Sequence, residues 1–154
     1  MSTPKVLIIV GSKSDLEVIG KAVEVLQRLQ IEVSLEVSSA HRQPERTREL
    51  AQTARQKGYG VVICGAGLSA ALPGVVASYT SLPVLGVPLA VSELGGLDAL
   101  LAISQMPRGI PVGCLALGGH GAVNAALLAA RIIAVTDKGV QQRLEEYRKQ
   151  AEQS

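Results

Sequence analysis

Glu32-Val33-Ser34-Leu35-Glu36-Val37-Ser38-Ser39-Ala40-His41-Arg42-Gln43-Pro44 is a strand that hands over directly to a helix. Its first six residues alternate, with Val33, Leu35 and Val37 on one side and polar groups on the other, the period of a pleated strand. Pro44 marks the first helical turn, where a missing N–H goes unused and a fixed φ suits the helix. Between the two lie an imidazole, a guanidinium and two hydroxyls. In open parallel α/β sheets, ligands collect at the carboxyl ends of strands. Histidine exchanges protons near neutrality, and arginine offers a rigid fork of donors to phosphate or carboxylate. The segment therefore predicts an acid/base group, His41, beside an anion holder, Arg42, with Ser39 adjacent.

Working outward, the same alternation fills the chain. Apolar runs at 6–10, 61–64, 83–87 and 112–117 predict four further strands. The segment 15–29 carries a helical stripe of Val18, Ala22, Val25, Leu26 and Leu29. A polar helix is expected over 45–57, closed by Gly58, and a small-residue helix through Tyr79. A short helix over 97–104, a long Ala/Leu helix over 122–135 and a charged terminal helix over 138–153 complete the series. Residues 118–121 read as a loop. Helix crossovers must cover both faces of a parallel sheet, so the fold class is α/β, a three-layer sandwich built as one domain, 1–154. A flavodoxin-like strand order is expected, since about five strands flanked by helices suit it.

Composition narrows the clientele. Apolar residues are 47% of the chain but aromatics only 2%, so the core is aliphatic and stacking platforms for nucleic acid are missing. A formal charge of +2 does not point to a polyanionic partner. Cys64 and Cys114 read as reduced, hydrophobe-like thiols, and without a CxxC or Cys/His cluster no metal site is expected. Residues 1–4 are too short for a signal peptide, and no apolar run reaches the ~20 residues that span a bilayer. A soluble, cytoplasmic protein with no membrane or nucleic-acid partner is expected. The apolar stretch 82–101 exceeds what one small domain covers, which suits contacts between subunits.

Three glycine-rich loops leave the other strands. Gly11-Ser12-Lys13-Ser14-Asp15 offers backbone and hydroxyl donors where a new helix starts, a natural phosphate seat. The plainer reading is that Ser14 or Asp15 caps the helix, and Asp15 is also placed to accept from ribose hydroxyls. The loop is not a Walker A sequence. Gly65-Ala66-Gly67-Leu68-Ser69-Ala70 matches the loose G-x-G-x-x-A pattern, but that fingerprint belongs to a first strand, so a tight loop exposing amides to a planar ligand is the better reading. Gly118-Gly119-His120-Gly121 is the third such exit, and all are expected to converge with the His41 loop on one edge of the sheet.

Seven strings together resemble the 5-(carboxyamino)imidazole ribonucleotide mutase family of purine biosynthesis. They are Gly11-Ser12-Lys13-Ser14-Asp15, Ser39-Ala40-His41-Arg42, Gly65-Ala66-Gly67, Leu72-Pro73-Gly74, 83–88, Gln105-Met106-Pro107 with its continuation to Pro111, and 124–130. They run in order over nearly the whole chain. The resemblance implies a cofactor-free isomerase, a homo-octamer and a ribonucleotide substrate with transient CO2. It implies that Ser12, Asp15 and Arg42 bind the ribonucleotide, with Ser14 and Ser39 at the phosphate and Ala66, Gly67 and Leu68 lining the site. His41 would be the catalytic proton carrier. The family usually has a histidine where this chain has Ala71, and His120 is the candidate to fill part of the space as an auxiliary group. Two other readings stay open: an aminoimidazole ribonucleotide carboxylase that takes CO2 directly, and a non-catalytic flavin- or nucleotide-binding module.

Overall fold

Alternate residues of the first strand, β1 (Lys5–Val10), feed two separate cores in the computed structural model, which describes residues 2–153. Val6, Ile8 and Val10 pack with α1 (Leu16–Arg28), α5 (Gly118–Ala134) and α6 (Lys138–Glu152) on one face. Leu7 and Ile9 point the other way, onto α2 (Pro44–Thr53), α3 (Leu72–Tyr79) and α4 (Leu97–Ser104). A strand covered on both sides has no polar face to show, hence its unbroken aliphatic sequence. Each fully buried Leu or Ile contributes ~1.5–3 kcal/mol of transfer free energy.

The remaining strands are β2 (Glu32–Val37), β3 (Val61–Ala66), β4 (Val84–Pro88) and β5 (Gly113–Cys114). All pair in parallel, in the order β2-β1-β3-β4-β5, which is the flavodoxin-like arrangement expected. After β1 the chain turns first to one side and later to the other. The crevice between the carboxyl ends of β1 and β3 is therefore the switch point where ligands collect in such sheets.

Several boundaries differ from the sequence reading, each for a local reason. A short 3-10 turn, Lys13–Asp15, precedes α1, because Ser12 and Asp15 form a reciprocal capping box there. Ile19, not Val18, is the fully buried residue of that turn of α1, with Val18 packed beside the core. The second helix starts at Pro44 as expected but ends at Thr53. The chain then turns through 54–57 to Gly58, whose φ of +85° lies in the left-handed region. The fifth strand keeps two residues of the six expected. The next rung of a parallel ladder would use the N–H of Pro88, which proline lacks. Residues 118–121 are not a loop but the first turn of α5. Gly118, with φ +66°, makes the bend into it.

Among the described residues, no helix is long and apolar enough to cross a membrane.

Candidate active site

Three loops meet at the β1/β3 crevice and enclose a cleft of about 590 Å³. The loop after β1 brings Gly11, Ser12, Ser14 and Asp15; the loop after β2 brings Ser39, Ala40, His41 and Arg42; the end of β3 and its loop bring Ala66 to Leu72. Every residue singled out in the sequence as a substrate contact, together with His41, lines this one cleft. Polar groups face it from β1 and β2, and small apolar ones from β3.

The polar wall is largely pre-arranged. The Ser12 N–H donates to Asp15 Oδ2 at 3.2 Å, and the Ser14 N–H donates to Ser12 Oγ at 3.3 Å. The Ser12 and Ser14 hydroxyls pair at 2.9 Å. The loop therefore caps its own turn and still turns hydroxyls and a carboxylate to the cleft, so the capping and ligand readings are compatible. In the neighbouring loop, the Arg42 N–H donates to Ser39 Oγ at 3.2 Å, and the Gln43 N–H to the Ser39 carbonyl at 2.8 Å. The Ser39 oxygen is used as an acceptor there, leaving its hydroxyl proton for a ligand. The side chains of His41 and Arg42 are exposed.

Asp15 is the buried acid of the cleft. Burial raises its pKa above the ordinary aspartate value, and the hydrogen bond from the Ser12 backbone offsets part of that rise. The folded chain thus holds this proton more tightly than the unfolded chain. The resulting stabilisation is complete below the unfolded aspartate pKa and disappears as pH rises through the folded one, so at neutral pH the ionised carboxylate costs stability. Asp15→Asn is expected to raise Tm at pH 7 and to lose that advantage as pH falls through the carboxylate range. Thermal melts across pH 3–8 check this; a Tm gain that is independent of pH would contradict the linkage.

The apolar wall is strained. Leu68 and Ala70 have φ of +55° and +40°, left-handed values that cost a non-glycine residue ~1–3 kcal/mol. Leu68 is 57% exposed at the cleft. Val91, from the loop after β4, completes this wall and was not anticipated. A Cβ on Gly67 would overlap Val91 Cγ2 and stand 3.3 Å from the Leu89 carbonyl oxygen, so glycine alone lets these two loops meet. Val91 bears no chemistry-carrying group, so nothing in its own sequence marks it as part of the wall.

His120 goes elsewhere. It is exposed in the first turn of α5, a helix packed on α1 and on β3 and β4, and does not line the cleft. The expected convergence of the 118–121 segment with the other loops fails because these residues start α5 directly, with Gly119 against Lys21 of α1 and Gly121 against Val87 of β4. Ala71 does line the cleft, leaving there the space of a side chain no larger than a methyl group. Among the described residues, no three His, Cys, Asp or Glu side chains gather closely enough to hold a metal ion. Burial pushes the Cys64 thiol well above its usual pKa, which keeps it inert within β3.

The chain matches known proteins along nearly its whole length. The family model described as AIR carboxylase matches residues 5–154. The chain is 50% identical over 145 residues to the N5-carboxyaminoimidazole ribonucleotide mutase of Escherichia coli K12, covering 94% of this chain and 86% of that one. It is 50% identical over 144 residues to the protein of the same name from Brucella melitensis, covering 94% and 89%. The crystal structure of a serine-to-aspartate variant of PurE2 from Treponema denticola superimposes with a TM-score of 0.89 at 27% identity, over 99% of this chain and 93% of that one. With a match over nearly its whole length and relatives half identical to it, the chain belongs to the AIR carboxylase family.

Proposed function

We propose that this chain is an N5-carboxyaminoimidazole ribonucleotide mutase of de novo purine (IMP) biosynthesis, an isomerase that moves the carboxylate from the exocyclic nitrogen of the aminoimidazole to ring carbon 4. The observation that carries this reading is one cleft at the switch point with a proton carrier and anion holders on one wall and small apolar groups on the other. Relatives at about 50% identity bear the mutase name.

The chemistry follows from these groups. Protonated His41 gives its proton to the carbamate nitrogen; the N–C bond breaks, its electron pair stays on nitrogen and CO2 is released. CO2 is held beside the ring by Ala66, Gly67, Ala70 and Ala71, whose small side chains leave room for it. The enamine-like carbon 4 attacks CO2, and the new sp3 carbon loses its proton to the now neutral His41, which restores the ring and the imidazolium. One proton leaves and returns, so no cofactor is consumed and one imidazole serves both steps. Arg42, with Ser14 and Ser39, holds the phosphate, and Ser12 and Asp15 the nucleoside portion. Leu68 covers the ring.

Two substrates test the proposal. A mutase turns over the carbamate ribonucleotide at a rate indifferent to added bicarbonate. A direct carboxylase, the activity in the family's description, instead consumes aminoimidazole ribonucleotide at a rate that climbs with CO2. A flavin- or nucleotide-binding module would turn over neither. Arg42→Ala is expected to lose a charge-assisted phosphate contact of ~1.5–3 kcal/mol, a roughly 10- to 150-fold weaker Kd by calorimetry. An unchanged Kd would take Arg42 out of the site.

The working form is a homo-octamer in the cytoplasm. Leu94, Leu97 and Leu101 leave an apolar surface exposed on and before α4, adjoining the loop that carries Val91. Light scattering reads the assembly directly, and a monomer there would refute it.

A further inference from the structure

We infer that Ser38 and Thr47 form a buried hydroxyl latch that positions His41 and Arg42 for catalysis, an assignment that rests on the proposed mutase function. Both residues are 0% exposed, and with Asp15 they are the buried polar residues of the core. Their hydroxyls meet at 2.8 Å. Thr47 Oγ1 also donates to the Gln43 carbonyl at 3.1 Å. A hydroxyl has one proton, so with Thr47 donating to Gln43, Ser38 must be the donor to Thr47. The relay runs in one direction, from the end of β2 to the first turn of α2, and spans the loop 39–42.

A helical threonine often bonds back to the carbonyl four residues earlier, and that bond alone needs no functional account. Ser38 is what this habit leaves unexplained. Its N–H extends the β1 ladder by donating to the Val10 carbonyl at 2.8 Å, while its side chain crosses to α2. An apolar pair of the same shape would fill this space with little change in stability. Two hydroxyls instead fix the distance and direction between the strand end and the helix start. The loop between them carries the imidazole and the guanidinium, whose side chains are exposed at the cleft. Neither Ser38 nor Thr47 lines the cleft, so they act through the backbone they clamp.

The test compares Thr47→Val, Thr47→Ser and the double variant Ser38→Ala with Thr47→Val, reading Tm, kcat and KM on the carbamate ribonucleotide. Thr47→Val strands the Ser38 hydroxyl, so both Tm and kcat are expected to fall, kcat by roughly 10–100-fold from misplacement of the reacting groups. Thr47→Ser keeps the relay and is expected to keep kcat. The double variant removes the stranded donor, so Tm is expected to recover while kcat stays low. Recovery of kcat along with Tm would make the pair a packing feature and overturn the inference, as would an undiminished kcat in Thr47→Val. If Thr47→Val does not fold, the double and serine variants still decide. If the wild-type chain turns over no carbamate, the functional reading has failed, and the latch is judged by ribonucleotide affinity alone: lowered in the double variant despite a restored Tm it stands, and unchanged it falls.

Discussion

His41→Asn is expected to abolish turnover while leaving ribonucleotide affinity within a few-fold of wild type. Asparagine can hydrogen-bond from a similar position, but its amide neither gives nor takes a proton near neutrality. General acid or base catalysis is typically worth 10²–10⁴-fold for each proton transfer, and here both transfers use one group, so a loss of about 10⁴-fold or more is expected. Binding should survive because the proposed phosphate and sugar contacts come from Arg42 and from the loop from Gly11 to Asp15, whose hydrogen bonds do not involve the imidazole. Stopped assays with the carbamate, alongside calorimetry with the aminoimidazole ribonucleotide, separate the two quantities. Turnover close to wild type would remove His41 from the chemistry and the mechanism with it.

Gly121→Ala is expected to be the most damaging glycine substitution for the fold. A Cβ at this position would overlap the Ala116 carbonyl oxygen and stand 3.2 Å from Val87 Cγ1. A backbone carbonyl cannot swing aside as a flexible side chain can, so α5 would have to lift from β4. That displaces the face on which Ala122, Ala125, Ala126, Ala129 and Ala130 are all fully buried. Forced overpacking of this kind costs roughly 2–3 kcal/mol, or a Tm drop of about 4–12 °C for a chain of this size. Gly119→Ala is the control: its nearest neighbour is the Lys21 ammonium at 2.7 Å, the mobile end of an exposed side chain. There alanine gains up to ~1 kcal/mol of helix propensity and Tm should hold or rise. Equal melting temperatures for the two variants would refute the packing account.

These two glycines also mark where the sequence was legible and where it was not. Strand runs such as Val6 to Val10, and the turn from Val37 to Pro44, announce themselves through period and through proline, which are local properties. The cleft residues were legible for a related reason: those of the first three loops follow directly on strands whose carboxyl ends flank the switch point. Helix packing is a non-local property. Gly118-Gly119-His120-Gly121 reads as one more ligand loop because glycines after a strand look alike whether they meet a ligand or, as here, let the start of α5 pack. Val91 was missed because a valine carries no group that marks a site; only the close approach of its loop to Gly67 brings it to the cleft. The Ser38–Thr47 pair likewise joins a strand end to a helix across nine positions, a meeting that no period records.

The two-residue length of β5 has a consequence for how copies of this chain meet. Exposed strand margins invite other chains to pair along them and grow into aggregates. Here one margin is too brief to serve as a template, since Pro88 withholds the donor that would lengthen it. The opposite margin, β2, carries Glu32 and Glu36, each in an ion pair, with Lys5 and Arg46 respectively. Neither border offers a smooth, uncharged ribbon to a stranger's backbone. Any contact between copies is thereby steered away from open-ended stacking along the sheet.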